Sequence, residues 1–415
     1  MGRQRYDREA RGGHTVERER WRALEHVADA LATVSRSLGL APTRLDGGSL
    51  IDVARRRTGL HDTGDDRFLE GLDRILAEAS GRYSALGDAL LRHFLASGLE
   101  TRLRSVDYAK RHPDVLDVPI TEPVVILGLP RSGTTIIQNL LATSLGNAHL
   151  EFWELMSVTP VDEVDLEADK RRRISALARV LRVVNLLAPE LDRIHHATPT
   201  TPEEDWHLLV PSFHALTFQS AFGLEEYGRW LLHEADMSWA YRELRQRLQI
   251  ILHQRPRQRL VLKCPDHLWF IDALLEVFPD ARIVQTHRDP VECITSYTSM
   301  VSLQERVLKG RIEWAPLAAR LTDFLWSGAQ RGEDARARHE DGRFFDVPFD
   351  ELVRDPAFVV HRITDHFGLP APSESSMRSE LARPRADRPG SHRHSHERLG
   401  LRPEVIHRRF RWSGG

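Results

Sequence analysis

The sequence predicts an α/β fold in which a parallel β-sheet is flanked by helices, with a helical N-terminal layer and a helical cap. Three observations lead to this prediction. Short apolar runs rich in β-branched residues recur from 123 onward with helical stretches between them, and strands that alternate with helices form parallel sheets. Before the first run, apolar residues recur at helical spacing. A long segment with few strand signals, 150–255, separates the first run from the second.

The N-terminal third divides into two parts. Residues 1–20 are polar and charged and have no apolar periodicity, which predicts a flexible N-terminus. From 21 to 115 the apolar spacing is helical, with Phe68, Leu72 and Ile75 as one example, so we expect a helical region packed on the core. Residues 116–412 are predicted to form the remaining domain.

Four segments of this domain are predicted strands. They are Pro123–Gly128, Arg259–Lys263, Arg282–Thr286 and Phe344–Pro348. A helix is expected at Trp269–Val277, and the tryptophan-rich segment 150–255 is predicted to form the cap over the sheet edge.

The composition excludes several classes of function. Acidic and basic residues number 60 and 58, which leaves a formal charge of -2 and no overall field to attract nucleic acid or an anionic membrane. The two cysteines are too few for a disulfide framework, and the apolar runs are far shorter than a membrane span. We therefore expect a cytoplasmic protein without nucleic-acid binding or membrane insertion. The oligomeric state stays open, with a homodimer as one option.

The segment Leu127–Thr135 carries the strongest functional signal. It reads Leu-Gly-Leu-Pro-Arg-Ser-Gly-Thr-Thr and lies where the first strand turns into a helix. Backbone N–H groups can converge there on an anion, and the residues concerned are Ser132, Gly133, Thr134 and Thr135. The loop is P-loop-like, but Thr134 stands where a Walker A motif requires lysine, which weakens an ordinary NTPase interpretation and leaves Arg131 as the cation. A glycine-containing turn with a helix cap is the alternative.

A second anion site is predicted where the third strand ends. Asp289 suits the N-cap position of the following helix and Pro290 its first turn. Arg288 then lies at the strand end, with Ser296 about two turns into the helix. From the residues alone, an ion pair between Arg288 and a neighbouring carboxylate is the alternative.

These motifs resemble those of bacterial sulfotransferases that use 3'-phosphoadenosine 5'-phosphosulfate (PAPS), and of tyrosylprotein sulfotransferases. Leu-Pro-Arg-Ser-Gly-Thr-Thr is similar to their 5'-phosphosulfate loop, and Arg288 followed by Ser296 is similar to their 3'-phosphate motif. The resemblance runs from about Arg102 to Arg411. It implies transfer of a sulfuryl group from PAPS to a hydroxyl or amine of a small-molecule acceptor, with release of 3'-phosphoadenosine 5'-phosphate (PAP) and no metal. We expect Arg131 and Arg288 to form two separated cationic pockets.

The same resemblance supplies candidates for the chemistry. Lys263 matches a family lysine that contacts the transferring group, and a lysine ending a buried strand is costly unless it meets an anion. Arg131 and Lys263 would stabilise the charge that builds up on the sulfuryl oxygens. Glu151 and Glu154 lie close to where tyrosylprotein sulfotransferases place their general base. His267 is the rival base, by similarity to cytosolic sulfotransferases.

Two further features are less specific. Thr201-Pro-Glu-Glu204 predicts a capping box with Thr201 as N-cap, and a similar acidic motif in the family faces the acceptor pocket, which makes Glu204 a secondary site residue. His392, His394 and His396 are interpreted as part of a solvated basic tail rather than a metal site.

Two other functions are weighed against sulfuryl transfer. The first is a P-loop kinase or NTPase, and the second is a sulfotransferase-like partner subunit without catalytic activity. A stable sulfate product and a sulfate that serves as a leaving group are both consistent with the motifs.

Overall fold

The computed structural model describes most of the chain from Asp46 onward. The described ranges are 46–144, 149–187, 197–256, 259–339, 341–370, 373–382 and 395–411. The predicted flexible N-terminus, 1–20, lies outside them, as do His392 and His394 of the basic tail.

Four parallel strands form one sheet in the order β2-β1-β3-β4. They are β1 (Val124–Gly128), β2 (Val261–Lys263), β3 (Arg282–His287) and β4 (Phe344–Pro348). Val124 pairs with Val261 on one side and with Arg282 on the other. The carboxyl ends of β1, β2 and β3 therefore meet at one edge of the sheet, where α/β proteins bind their ligands.

Helices cover both faces of this sheet. Every residue of β1 is buried; Val125 and Leu127 pack into one apolar cluster, whereas Val124 and Ile126 pack into a second. Burial on both faces explains why β1 reads as a continuous apolar run.

The α-helices are numbered in chain order. They are α1 (Gly47–Thr58), α2 (Phe68–Ala79), α3 (Ala85–Arg111), α4 (Thr134–Ser144), α5 (Phe152–Met156), α6 (Leu166–Leu187), α7 (Thr217–Ser220), α8 (Glu225–His233), α9 (Met237–Gln254), α10 (Ile271–Val277), α11 (Pro290–Lys309), α12 (Trp314–Arg336), α13 (Phe349–Arg354), α14 (Pro356–Phe367), α15 (Glu374–Ala382) and α16 (Pro403–Arg409). Short 3-10 turns include Asp205–Leu208 and Pro265–Trp269.

The predicted α/β fold with a parallel sheet is confirmed. Each predicted strand forms, although β2 begins at Val261 rather than at Arg259 and β3 continues to His287. The helix expected from Trp269 begins at Ile271, because the 3-10 turn that Pro265 opens runs through Trp269.

The first three helices pack directly against the rest of the chain. A Cβ at Gly87 of α3 would lie 2.2 Å from the carbonyl oxygen of Leu308, so the backbones of α3 and α11 touch. The buried Arg102 of α3 donates to Glu243 of α9 at 2.8 Å, and Arg247 donates to the same carboxylate at 2.7 Å. This ion cluster joins α3 to α9.

The connection between β1 and β2 contains α4 to α9. It includes the segment for which the sequence predicts a helical cap. Most of its large aromatic side chains are buried, Trp153 among them, and those that belong to the larger apolar cluster include Tyr227, Trp230, Trp239 and Tyr241. Trp153, Trp230 and Trp239 therefore stabilise the protein's interior.

Candidate nucleotide site and acidic centre

The loop between β1 and α4 has an unusual backbone. Gly128, Arg131 and Gly133 have φ angles of +146°, +72° and +94°, values that side chains with a Cβ rarely adopt. A Cβ at Gly128 would lie 2.3 Å from Thr286 Oγ1, and one at Gly133 would lie 2.8 Å from Leu352 Cδ2. Glycine is therefore required at both positions. The left-handed Arg131 marks local strain of the kind found at ligand sites.

Ser132 anchors this loop to the sheet. Its N–H donates to Leu129 O at 3.2 Å, and its hydroxyl lies 2.5 Å from both Leu129 O and Thr286 Oγ1. The sequence predicts that N–H groups from Ser132 onward face an anion. Because the N–H of Ser132 bonds within the turn, the donors at the start of α4 are those of Gly133, Thr134 and Thr135, which have no acceptor inside the helix.

Arg131, Arg288 and Ser296 lie in one contact cluster. Arg131 Nε donates to Ser296 Oγ at 3.1 Å, and an Arg288 guanidinium nitrogen donates to Arg131 O at 2.7 Å. The sequence predicts two separated cationic pockets, and the structure places the residues that would form them in contact. The two arginines adjoin, because the ends of β1 and β3 are neighbours in the sheet.

Arg288 is held in place from three sides. Besides Arg131 O, its guanidinium binds Glu292 Oε2 at 2.6 and 2.8 Å and lies 4.1 Å from the ring centroid of Phe349. Asp289 caps α11 by accepting from the N–H of Val291 at 2.8 Å, as its sequence position predicts. The ion pair with Glu292 does not exclude a ligand, since a guanidinium group has five N–H donors.

Lys263 is buried at the end of β2, with 1% of its surface exposed. Its Nζ donates to Glu204 Oε1 at 2.8 Å. Burial alone would lower the pKa of Lys263, but the carboxylates of Glu204 and Glu203 outweigh that effect and raise its pKa. The lysine is therefore positively charged at neutral pH and points at the acidic segment 203–205.

This acidic segment is extended, which makes the predicted capping box wrong. Thr201 exchanges hydrogen bonds with Thr198 instead of capping a helix, and Glu204 precedes the 3-10 turn Asp205–Leu208. The backbone near Pro202 forms a bridge with Glu151. Pairing with this neighbouring segment prevents the first helical turn that a capping box would require.

Glu151 and Glu154 form the capping box that the structure does contain, at the start of α5. Both also bind Arg255 at 2.8 Å, and Glu151 accepts from Trp153 Nε1 at 2.7 Å. Glu154 is 2% exposed. His149 forms a parallel bridge with Val261 of β2, so Glu151 lies level with Lys263 along the sheet.

His267 is fully buried. Its Nδ1 lies 2.7 Å from the hydroxyl of Tyr241, and its Nε2 lies 2.8 Å from Asp205 Oδ1. The two atoms of the second contact are close enough for an ion pair, but they do not form a hydrogen bond with each other or with another group. Both ring nitrogens thus face other protein groups.

Asp266 is a candidate residue that sequence reasoning missed. It lies between Lys263 and His267 on the turn after β2, and it is the only partly exposed residue of the turn Pro265–Trp269. Burial of the carboxyl, the charge of Glu204 and the charge of Asp205 raise its pKa to about 7, whereas His267 acts in the opposite direction. An aspartate at a strand end was the available signal.

Two further properties concern the described residues only. They include no group of three or more His, Cys, Asp or Glu side chains placed to hold a metal ion. In the same part of the chain, the helices lack an apolar stretch long enough to cross a membrane.

Comparison with known proteins gives one family. Residues 123–373 match the sulfotransferase family. The omega-hydroxy-beta-dihydromenaquinone-9 sulfotransferases Stf3 of Mycobacterium bovis and Mycobacterium tuberculosis are each 29% identical to this chain over 119 residues. That match covers 28% of this chain and only 30% of each relative's length.

Two solved structures match over nearly the whole chain. Sulfotransferase STF1 from Mycobacterium tuberculosis H37Rv has a TM-score of 0.77 and 29% identity, covering 88% of this chain and 98% of that chain. Sulfotransferase STF9 from Mycobacterium avium has the same score and identity, covering 89% and 96%. The arrangement of sheet and helices is therefore shared with both.

Proposed function

Because this chain belongs to the sulfotransferase family, we propose that it transfers a sulfuryl group from PAPS to a hydroxyl or amine of a small-molecule acceptor and releases PAP. The observation that most supports this donor is the contact cluster of Arg131, Arg288 and Ser296 beside the start of α4. Two guanidinium groups and a helix N-terminus at one sheet edge suit a nucleotide that carries an anionic group at each end.

The residues of the cluster fit the two ends of that nucleotide. Arg131 and the N–H groups of Gly133, Thr134 and Thr135 would bind the 5'-phosphosulfate, with Ser132 holding the loop in shape. Arg288 and Ser296 would bind the 3'-phosphate. The positive φ angle of Gly133 supports this assignment, because it allows close approach of the backbone to a ligand.

Lys263 and Arg131 would stabilise the negative charge that develops during transfer. PAPS supplies the activated sulfuryl group. A buried, positively charged lysine next to the loop can stabilise developing charge without reorganisation of solvent. Electrostatic stabilisation is most effective in such a water-excluded environment. Since Lys263 is bound to Glu204, we infer that it exchanges part of this contact for the sulfuryl oxygens. These cations and the helix N-terminus serve the reaction without a metal ion.

A proton acceptor for the incoming hydroxyl is also required. The sequence predicts Glu151, Glu154 or His267, and each stays a prediction. All three lie near the end of β2, but each already binds protein groups: Arg255 for the two glutamates, and Tyr241 and Asp205 for the histidine.

The acceptor is proposed to be a small molecule with an aromatic or apolar part. Trp206 and His207 stack with ring centroids 3.8 Å apart and are partly exposed, close in sequence to Glu204. Such a surface suits a flat or apolar group beside Lys263. The hydroxylated menaquinone in the name of the Stf3 relatives combines a ring, an apolar chain and a hydroxyl. We propose a cytoplasmic location, with neither nucleic acid nor membrane insertion involved.

Calorimetry with PAP tests the donor. We expect micromolar or tighter binding to the wild-type chain and at least about tenfold weaker binding to Arg288→Ala, since hydrogen bonds to charged groups contribute about 1.5 to 3 kcal/mol. Adenosine 5'-phosphate, which lacks the 3'-phosphate, should bind weakly to both. Thermal stabilisation by ATP with Mg²⁺ but not by PAP would favour the kinase alternative. PAP binding without turnover of PAPS by any phenol, alcohol or amine would favour the non-catalytic partner.

A further inference from the structure

One lysine–carboxylate ion pair and one histidine–carboxylate contact connect the end of β2 and the turn after it with the acidic segment 203–205. Lys263 Nζ lies 2.8 Å from Glu204, and His267 Nε2 lies 2.8 Å from Asp205. The consecutive acids Glu204 and Asp205 thus face Lys263 at the end of β2 and His267 within the turn. Both of these basic side chains therefore already contact a carboxylate.

Asp266 lies between these two contacts and has no such partner. Among the described residues, none donates a hydrogen bond or a salt bridge to its carboxylate. Its sequence neighbours Cys264, Pro265 and His267 are all buried, whereas Asp266 is partly exposed. Asp266 is thus a partly accessible residue just past the carboxyl end of β2, three positions after Lys263.

The electrostatic influence of Asp266 extends to tyrosines on α9 and α11. The charge of Asp266 raises the pKa values of Tyr241 and Tyr297, although burial is the larger cause in both. Tyr297 directly follows Ser296 on α11, and it also feels the charge of Glu204. Asp266 is therefore within electrostatic reach of Tyr241 on α9 and of Tyr297 on α11.

On the premise of sulfuryl transfer, we propose that Asp266 is the catalytic residue that takes the proton of the acceptor. Asp266 accepts the hydroxyl proton as the acceptor oxygen forms its bond to sulfur. The bond between sulfur and the phosphate oxygen breaks, and its electron pair stays on that oxygen, which leaves as part of PAP. The acceptor's hydrogen ends on the carboxyl of Asp266 and then passes to solvent.

The contacts of the other candidates favour Asp266. Glu151 and Glu154 are tied to Arg255, Glu204 is tied to Lys263, and His267 is enclosed between Tyr241 and Asp205. A base that is already paired loses basicity and must break a contact before it can act. A carboxylate flanked by two further carboxylates gains basicity instead.

Phenols of different acidity test this proposal in the full-length chain. At pH 8, 4-nitrophenol is mostly ionised and brings no proton to remove, whereas phenol is mostly un-ionised. For Asp266→Asn we expect kcat with phenol to fall by about 10² to 10⁴, kcat with 4-nitrophenol to stay within about threefold, and PAP affinity to be unchanged. Asp272→Asn, at an exposed ion pair on α10, is the matched control and should behave like the wild type with both phenols.

Three results would overturn it. Equal losses with both phenols would assign Asp266 a structural role. Wild-type rates in Asp266→Asn, combined with a phenol-selective loss in Glu151→Gln or His267→Gln, would move the proton acceptor to that residue. A wild-type chain that binds PAP but turns over neither phenol, nor any alcohol or amine, would overturn the proposed function, and the role of Asp266 with it.

Discussion

Replacing Asp266 by asparagine should stabilise the protein more at pH 8 than at pH 5. Burial and the nearby Glu204 are the main causes that raise its pKa from 3.8 to about 7. In the unfolded chain the carboxyl ionises near its ordinary pKa. Between about pH 4 and pH 7 the folded state therefore holds a proton that the unfolded state has released, so the free energy of unfolding of the wild type falls as the pH rises through this interval. Asparagine removes this dependence.

The size of the effect follows from the same pKa. Each pKa unit corresponds to about 1.4 kcal/mol, so a rise from 3.8 to about 7 sets an upper bound of about 4 kcal/mol. Partial exposure lets water solvate the ionised carboxylate, which reduces the expected gain of Asp266→Asn at pH 8 to about 2 kcal/mol. At pH 5 the wild-type carboxyl is mostly protonated and resembles the amide. The unfolded chain has already released its proton at that pH, so the gain of Asp266→Asn at pH 5 is bounded by about 1.6 kcal/mol and is smaller than at pH 8.

Urea unfolding followed by circular dichroism at pH 5, 6, 7 and 8 measures this difference. Asp346→Asn is the control of opposite sign. Burial acts to raise the pKa of Asp346, but hydrogen bonds from His287 and Arg336 outweigh it and hold that pKa far below its ordinary value. This substitution should therefore destabilise the protein at pH 8. Parallel curves for the wild type and Asp266→Asn from pH 5 to pH 8 would refute the electrostatic reasoning about Asp266.

Other substitutions test the remaining assignments. Lys263→Met should lower turnover of PAPS by at least about 10², since one charge-stabilising donor contributes this much, while calorimetry shows PAP binding retained. Glu204→Ala should lower the free energy of unfolding by about 3 kcal/mol in urea, because it leaves the buried lysine without its partner; a loss below about 0.5 kcal/mol would contradict the pairing. Gly133→Ala should destabilise the protein by about 1 to 3 kcal/mol through its positive φ and weaken PAP binding in calorimetry. Gly342→Ala, where a Cβ would meet nothing within 4 Å, should change neither quantity.

The sequence predicts the sheet well because local patterns determine it. Buried parallel strands are short apolar runs, and Phe344–Pro348 forms at the predicted residues. The start of α11 is also determined by local sequence, since Asp289 is favourable at the N-cap and Pro290 in the first helical turn. Thr201 shows the limit of such reasoning. Its capping box is locally favourable, but pairing with the segment at Glu151 keeps the chain extended.

The acidic centre depends on contacts that no local pattern reveals. Asp266 gains its high pKa from burial and from Glu204, which lies more than 60 positions earlier in the chain. The contact between Arg131 and Arg288 likewise depends on the strand order, which places β3 directly beside β1. Sequence spacing indicates each arginine separately, whereas only the folded sheet brings them together.

The long connection between β1 and β2 has an evolutionary consequence. Apart from Lys263, every group assigned to the nucleotide is carried by the loop and first turn at the start of this connection or by the end of β3 and α11, whereas the surface around Trp206 belongs to the later part of the connection, after α4. Substitutions within 150–255 can therefore change which acceptor is bound and leave the nucleotide-binding residues unchanged. Grafting this stretch from a relative with a different acceptor should transfer the preference and preserve PAP affinity.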